Sequence, residues 1–270
     1  MAETFQTPIT RLAVELSAEE CWLVFSHYRP PILWGMRRPY MGKTPEEVAD
    51  SSRRALERLQ ERQLIAQKET QHLQMDAWLD QVAQVCSQPE YILLVHVWQR
   101  GQRAARRHYL HFQGEHAVEQ SEIGRANGDH YRFMALHDRL AVHNHLKQLL
   151  DLPYTKSSIS LETALPEKLF TSIATLCAHG EIVSAVQELS ASRLDSETAS
   201  QLIAALSDSP FKASLALIRT QNPACPRQVR GLSIVSGHDG LWLFKPDNNQ
   251  VTCFLQSSEA AWQATLEMLP

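Results

Sequence analysis

One order of elements occurs twice in this chain. Residues 75–150 and 196–269 each read as an amphipathic helix, a proline, four short strand-like runs and a closing helix. Self-similarity on this scale restricts the fold more than any single motif does. The period is too long for a solenoid of stacked units, so the pattern predicts two related halves, residues 1–152 and 153–270, packed as one unit.

The correspondence runs residue by residue. Trp78, Val82 and Val85 before Pro89 match Ala199, Ile203 and Leu206 before Pro210, which sets the same helical face over the same break. Apolar runs follow, YILLVHVW from Tyr91 and FKASLALI from Phe211. The next turns fall at Gly114-Glu115-His116 and at Gly237-His238-Asp239-Gly240, then at Asn127-Gly128-Asp129 and Asp247-Asn248-Asn249, residue types that tolerate positive φ. Val142, Leu146 and Leu149 in one closing helix share their spacing with Trp262, Leu266 and Leu269 in the other, and this spacing predicts two equivalent buried faces. Upstream, Leu59 and Leu64 are spaced like Leu189 and Leu194.

The remaining elements complete an α+β reading. The run ITRLAVEL predicts a strand, and Ser17 with Glu20 a capping box that opens the next helix. Thr44, Pro45 and Glu47 open another that runs to about Gln63. Helices are also expected from Leu165-Pro166 to the C-capping Gly180, over 181–192 and over 196–207, after a linker at 151–160. Consecutive hairpins with short turns favour antiparallel meanders over βαβ crossovers, giving a central sheet with helical clusters.

With 270 residues, 44% of them hydrophobic, the chain can bury roughly three quarters of its unfolded surface. Its longest apolar stretches are only a handful of residues and its N-terminus is polar, which predicts neither a membrane span nor a secretory signal. The five scattered cysteines fit reduced, buried thiols in a cytoplasmic protein. Charge is balanced over residues 1–150, with 18 Lys and Arg against 18 Asp and Glu, and mildly acidic over 151–270, with 8 against 12. Nothing in that distribution calls for a polyanionic partner.

The familiar catalytic signatures do not occur: there is no glycine-rich phosphate loop, G-x-S-x-G, H-E-x-x-H or C-x-x-C. The twelve histidines do not form a ligand set, because residues three apart on a strand face opposite sides and residues two apart on a helix point roughly 200° apart. His108, His111 and His116, like His137, His143 and His145, therefore read as surface and turn residues, with His96 half-buried, and no metal or cofactor is expected. Glu19-Glu20 and Glu46-Glu47 are explained by their places in first helical turns. On the helix over 44–63, Asp50, Glu57 and Glu61 lie at pairing distance from Arg53, Arg54, Arg58 and Arg62, which argues against a nucleic-acid reading helix.

Two segments read as candidate binding surface. Residues 99–107, QRGQRAARR, form a long arginine-rich loop between adjacent strands, and Arg100, Gln102, Arg103, Arg106 and Arg107 are its candidate partner contacts. Residues 29–43, RPPILWGMRRPYMGK, cross the surface in extended form, and Ile32, Leu33 and Trp34 are expected to pin them to the core.

The strand ITRLAVEL, the helix SAEECWLVFSHY, the apolar RPPILWGM, the helix ending LERLQERQLI, the helix MDAWLDQVAQVC and the second half ending SGHDGLWLF, VTCFL and LEMLP together resemble the EspG-type chaperones of type VII secretion. The resemblance is one of element order and apolar pattern over essentially the whole length. It implies a pseudo-twofold α+β protein without an active site, cofactor, nucleic-acid partner or membrane partner. It further implies a cytoplasmic chaperone, monomeric or weakly dimeric, that holds a helical secretion substrate soluble. The expected contacts are a sheet edge, the loop at 99–107 and the helices between Leu165 and Ser207. Two other functions fit the residues alone: an enzyme whose site is assembled from scattered positions, seeded by Tyr131, His137 and Asp138, and a self-associating scaffold that pairs strand edges.

Overall fold

The computed structural model describes residues 13–30, 32–67, 73–102, 104–125, 128–156, 161–192, 194–220 and 227–270. The first half of the chain contains β1 (Ala13–Ser17), α1 (Ala18–Ser26), α2 (Pro45–Glu61), β2 (Ile65–Gln67), β3 (Leu73–Met75) and α3 (Ala77–Ser87). A meander of β4 (Tyr91–Gln99), β5 (Arg106–Gln113), β6 (His116–Arg125) and β7 (Gly128–Leu136) follows, closed by α4 (Arg139–Leu150). The second half repeats this plan with β8 (Leu161–Pro166), α5 (Glu167–Ala178), α6 (Ile182–Ser190), α7 (Ser196–Asp208), β9 (Phe211–Arg219), β10 (Arg227–Ser236), β11 (Leu241–Asp247), β12 (Gln250–Gln256) and α8 (Ser258–Leu266). The fold is α+β.

Two compact units are formed, Met1–Glu90 with Tyr109–Asp138, and Tyr91–His108 with Arg139–Pro270. In the first the strands lie in the order β1-β7-β6-β5; in the second the order is β4-β9-β10-β11-β12-β8. The pairings repeat as the sequence predicts: β1 joins the last strand of its meander antiparallel, as β8 joins the last strand of its own. Where the two meanders meet, β4 and β9 are antiparallel and Val95 faces Leu215, the fifth residue of one nine-residue strand against the fifth of the other.

The first unit closes over Leu16, Val24, Phe25, Leu79, Val82, Tyr131 and Phe133, with the Phe25 and Phe133 rings tilted at 5.3 Å. In the second, α5, α6 and α7 cover Val235, Trp242, Phe244 and Leu255. Burial of this kind contributes about 25 cal/mol per Å² of apolar surface.

Both capping boxes form. The Ser17 hydroxyl accepts from the Glu20 amide while the Glu20 carboxylate accepts from the Ser17 amide, and Thr44 and Glu47 do the same for α2. Gly180 ends α5 at φ +78°, and Asn248 and Asn249 turn β11 into β12 at φ +41° and +70°.

Several sequence expectations are corrected. Residues 161–166 form the edge strand β8, so the helix starts after Pro166, which sits at the end of that edge where a missing N–H costs no ladder bond. The buried face of α8 is Ala261, Ala264 and Thr265, continued by Met268 and Leu269; Trp262 and Leu266 are only half-buried. Small residues let this helix approach closely, and the larger apolar ones fall to its flanks. Leu33 and Met36 pack on the core, whereas Ile32 is exposed. His111, expected at the surface, is fully buried.

Candidate functional site

The loop joining β4 to β5 is shorter than the sequence suggests, because β4 extends through Gln99 and β5 begins at Arg106. Gly101 turns the chain at φ +89°, the Gln102 amide donates to the Gln99 carbonyl at 3.0 Å, and the Arg100 amide donates to the Pro210 carbonyl at 2.8 Å. Arg100 meets Asp208 at 3.3 Å with both side chains mostly in water. Such a solvated pair contributes about 1 kcal/mol or less. Gln102 donates from its side-chain amide to the Gln99 side chain at 3.3 Å, leaving its own oxygen buried without a partner among the described residues.

Arg106 and Arg107 are exposed but adjacent on a strand, so they point to opposite sides of it. These two therefore do not share one face. Arg107 is close enough to His96 to reinforce what burial does first, lowering the His96 pKa. Arg103 lies outside the described residues.

The helical cluster offers a different surface. On α6, Ala185 and Leu189 face inward, while Ile182, Val183 and Val186 are 37%, 72% and 44% exposed. An ordinary amphipathic helix buries its apolar stripe; on this one the apolar arc continues from the buried face to side chains in solvent. The run IVSAV carries more apolar residues than the buried face of α6 uses, a local signal for this surface within the expected region 165–207.

The sheet edges differ. At β1 the Glu15 carbonyl is already taken by the Arg62 guanidinium at 2.7 Å. Arg58 and Arg62, expected to pair along their own helix, reach the buried Glu20 carboxylate of α1 at 2.9 and 3.3 Å. Arg53 does pair within α2, with Asp50 at 2.8 Å and Glu57 at 3.9 Å.

The residues that seeded an enzyme reading are not gathered into a site. Tyr131 is buried and its hydroxyl accepts from the Arg37 amide at 2.9 Å, with burial raising its pKa. His137 and Asp138 are exposed beyond the end of β7. Among the described residues no three His, Cys, Asp or Glu side chains are grouped to hold a metal ion, and no helix is long and apolar enough to cross a membrane.

No protein-family model and no curated protein matches this chain. Among solved structures, the Mycobacterium tuberculosis type VII secretion system chaperone EspG5, determined in complex with the PE25-PPE41 dimer, aligns over 96% of this chain and 97% of its own with a TM-score of 0.66. The fold is similar to that of EspG5. Identity is 13%, so the EspG5 likeness is one of architecture, and individual contact residues do not transfer. It agrees with the element order from which the resemblance to EspG-type chaperones was drawn.

Proposed function

We propose that this chain is a non-catalytic cytoplasmic chaperone that binds a helical protein client and keeps it soluble before export. The observation that carries the reading is the near-complete coverage, in both directions, of a fold that serves as a secretion chaperone in EspG5. The solvent-facing Ile182, Val183 and Val186 supply apolar area of the kind a helical client would bury. Arg100, Gln102, Arg103, Arg106 and Arg107 are proposed as accessory contacts at the polar rim. Arg100 is suited to this role because its present partner is solvated and weakly held.

The test is recovery of the client from the native host with wild-type chain and with a V183D/V186D variant. Both valines are exposed, so stability should shift by less than about 1 kcal/mol, while client affinity should fall by roughly thirtyfold or more if they lie at the centre of the contact. Recovery of a helical client undiminished by the double variant would remove α6 from the interface, and recovery of no helical partner at all would refute the chaperone reading.

A further inference from the structure

Within the first compact unit, the chain leaving α1 turns back beside that helix and encloses a pocket of about 380 Å³. Its walls are apolar, formed by Trp22, Ile32, Leu33 and Met36. Arg29, Arg37 and Arg38, with Ser26 and Pro30, complete the lining. Leu33 and Met36 also pack on the core, whereas Trp22 and Ile32 keep more than a third of their surface in water. Large apolar side chains held at the mouth of a small cavity are unfavourably placed for folding alone, and such cavities are the usual setting of small-ligand sites.

The pocket is pre-formed. The Trp34 carbonyl accepts from the Gln120 side chain at 3.0 Å, and the Arg37 amide donates to the Tyr131 hydroxyl at 2.9 Å. Gly35 lies between them at φ +66°, so close to the Tyr109 ring that a Cβ there would overlap it. Tyr40 meets Trp22 edge-on at 6.1 Å. A site whose walls are fixed before binding loses less freedom on taking its ligand.

Its charge selects the ligand. Arg37 is engaged by Asp129 at 3.4 Å and Glu122 at 4.0 Å. Among the described residues no carboxylate pairs with Arg29 or Arg38. Three guanidinium groups against two carboxylates leave one net positive charge at the rim, which a single anion neutralises. Arg29 is also held at φ +47°, in the left-handed region that a side chain such as arginine enters only at a cost. A guanidinium presents paired donors that match the two oxygens of a carboxylate.

We propose that this pocket binds a free apolar monocarboxylic acid, its aliphatic or aromatic body between Trp22, Ile32, Leu33 and Met36 and its carboxylate on Arg29 and Arg38. The proposal does not depend on the client-binding reading.

Calorimetric titration of the full chain with octanoate, 3-phenylpropionate and the uncharged 3-phenylpropionamide tests it. Saturable one-to-one binding of an acid is expected, weakened about tenfold or more in the amide, in an R29Q/R38Q variant and in an I32E variant. All three substituted positions are exposed, and an unchanged melting temperature will show that the variants are folded. Equal binding of acid and amide, an unaffected R29Q/R38Q variant, or no acid binding at millimolar concentration would overturn it. So would tighter binding of a short peptide ending in a free phenylalanine carboxylate, which would make the pocket a chain-terminus site.

Discussion

Glu20 is nine-tenths or more buried and performs two tasks at once: it closes the capping box on Ser17 and receives Arg58 and Arg62 from α2. Glu20→Gln retains the cap geometry but loses the charge, so it should cost less than Glu20→Ala, which should lower stability by about 2–4 kcal/mol in urea unfolding. If the alanine variant were as stable as wild type, the α1–α2 linkage would be decorative. The box was legible in the sequence because its members are three residues apart. The arginines that complete the site are about forty residues away in the chain, beyond the reach of local pattern. His111 was misread for the same reason. Its Nε2 lies 2.9 Å from the Gln120 side-chain oxygen, and since Gln120 uses its amide on the Trp34 carbonyl, Nε2 is the protonated nitrogen and Nδ1 is left bare and buried. Burial pushes the His111 pKa from the ordinary 6.5 down to about 4. Between those values the unfolded chain binds a proton that the folded chain does not. The stabilisation is therefore complete above about pH 6.5 and is lost as pH falls toward 4, by about 3 kcal/mol over the window. His111→Gln should flatten that part of the stability profile; an unchanged slope would place the acid sensitivity elsewhere.

At the scale of elements, turns and caps read best where their chemistry is local. Asp247 pairs with Gln250, so Asn248 and Asn249 form a two-residue hairpin loop with both φ values positive, as the Asp-Asn-Asn run predicted. The counterpart reading at Asn127 lies outside the described residues. Asn249→Val should destabilise by about 1–2 kcal/mol, because a β-branched residue resists the left-handed region, whereas Asn249→Gly should be neutral or stabilising. Thermal melting distinguishes the two, and equal melting temperatures for the valine and glycine variants would contradict the turn assignment. Helix faces read less well where apolar residues surround the helix. Around α8, alanines, Trp262, Leu266 and Met268 leave the inward face undetermined by periodicity, and the closeness of packing selects Ala261 and Ala264. The apolar arc of α6, wider than its buried face, is undetermined by periodicity for the same reason. Edge strand β8 escaped notice because its six residues end in a proline that also reads as a helix start.

For the whole molecule, the pairing of the first strand with the last strand of the meander occurs in each copy, β1 with β7 and β8 with β12. What differs is what each copy presents. In the first, Arg53 of α2 pairs with Asp50 and Glu57, and Arg58 and Arg62 reach Glu20. In the second, the corresponding place in the element order is held by α6, whose Val183 and Val186 face solvent without any such pairing. A symmetric pair of client sites would require like surfaces on both copies, and these are unlike in polarity and in side-chain length. The proposed chaperone should therefore carry one client per chain, and since α2 carries no such apolar stripe among the described residues, it should not need a second copy of itself to cover the one on α6. Light scattering should give a free mass near 30.6 kDa and a complex mass equal to one chain plus one client. A complex with two clients would mean that the α2 side binds despite its charged surface. A free dimer dispersed by V183D/V186D would mean that α6 is a self-association surface, and the scaffold reading would then replace the chaperone one.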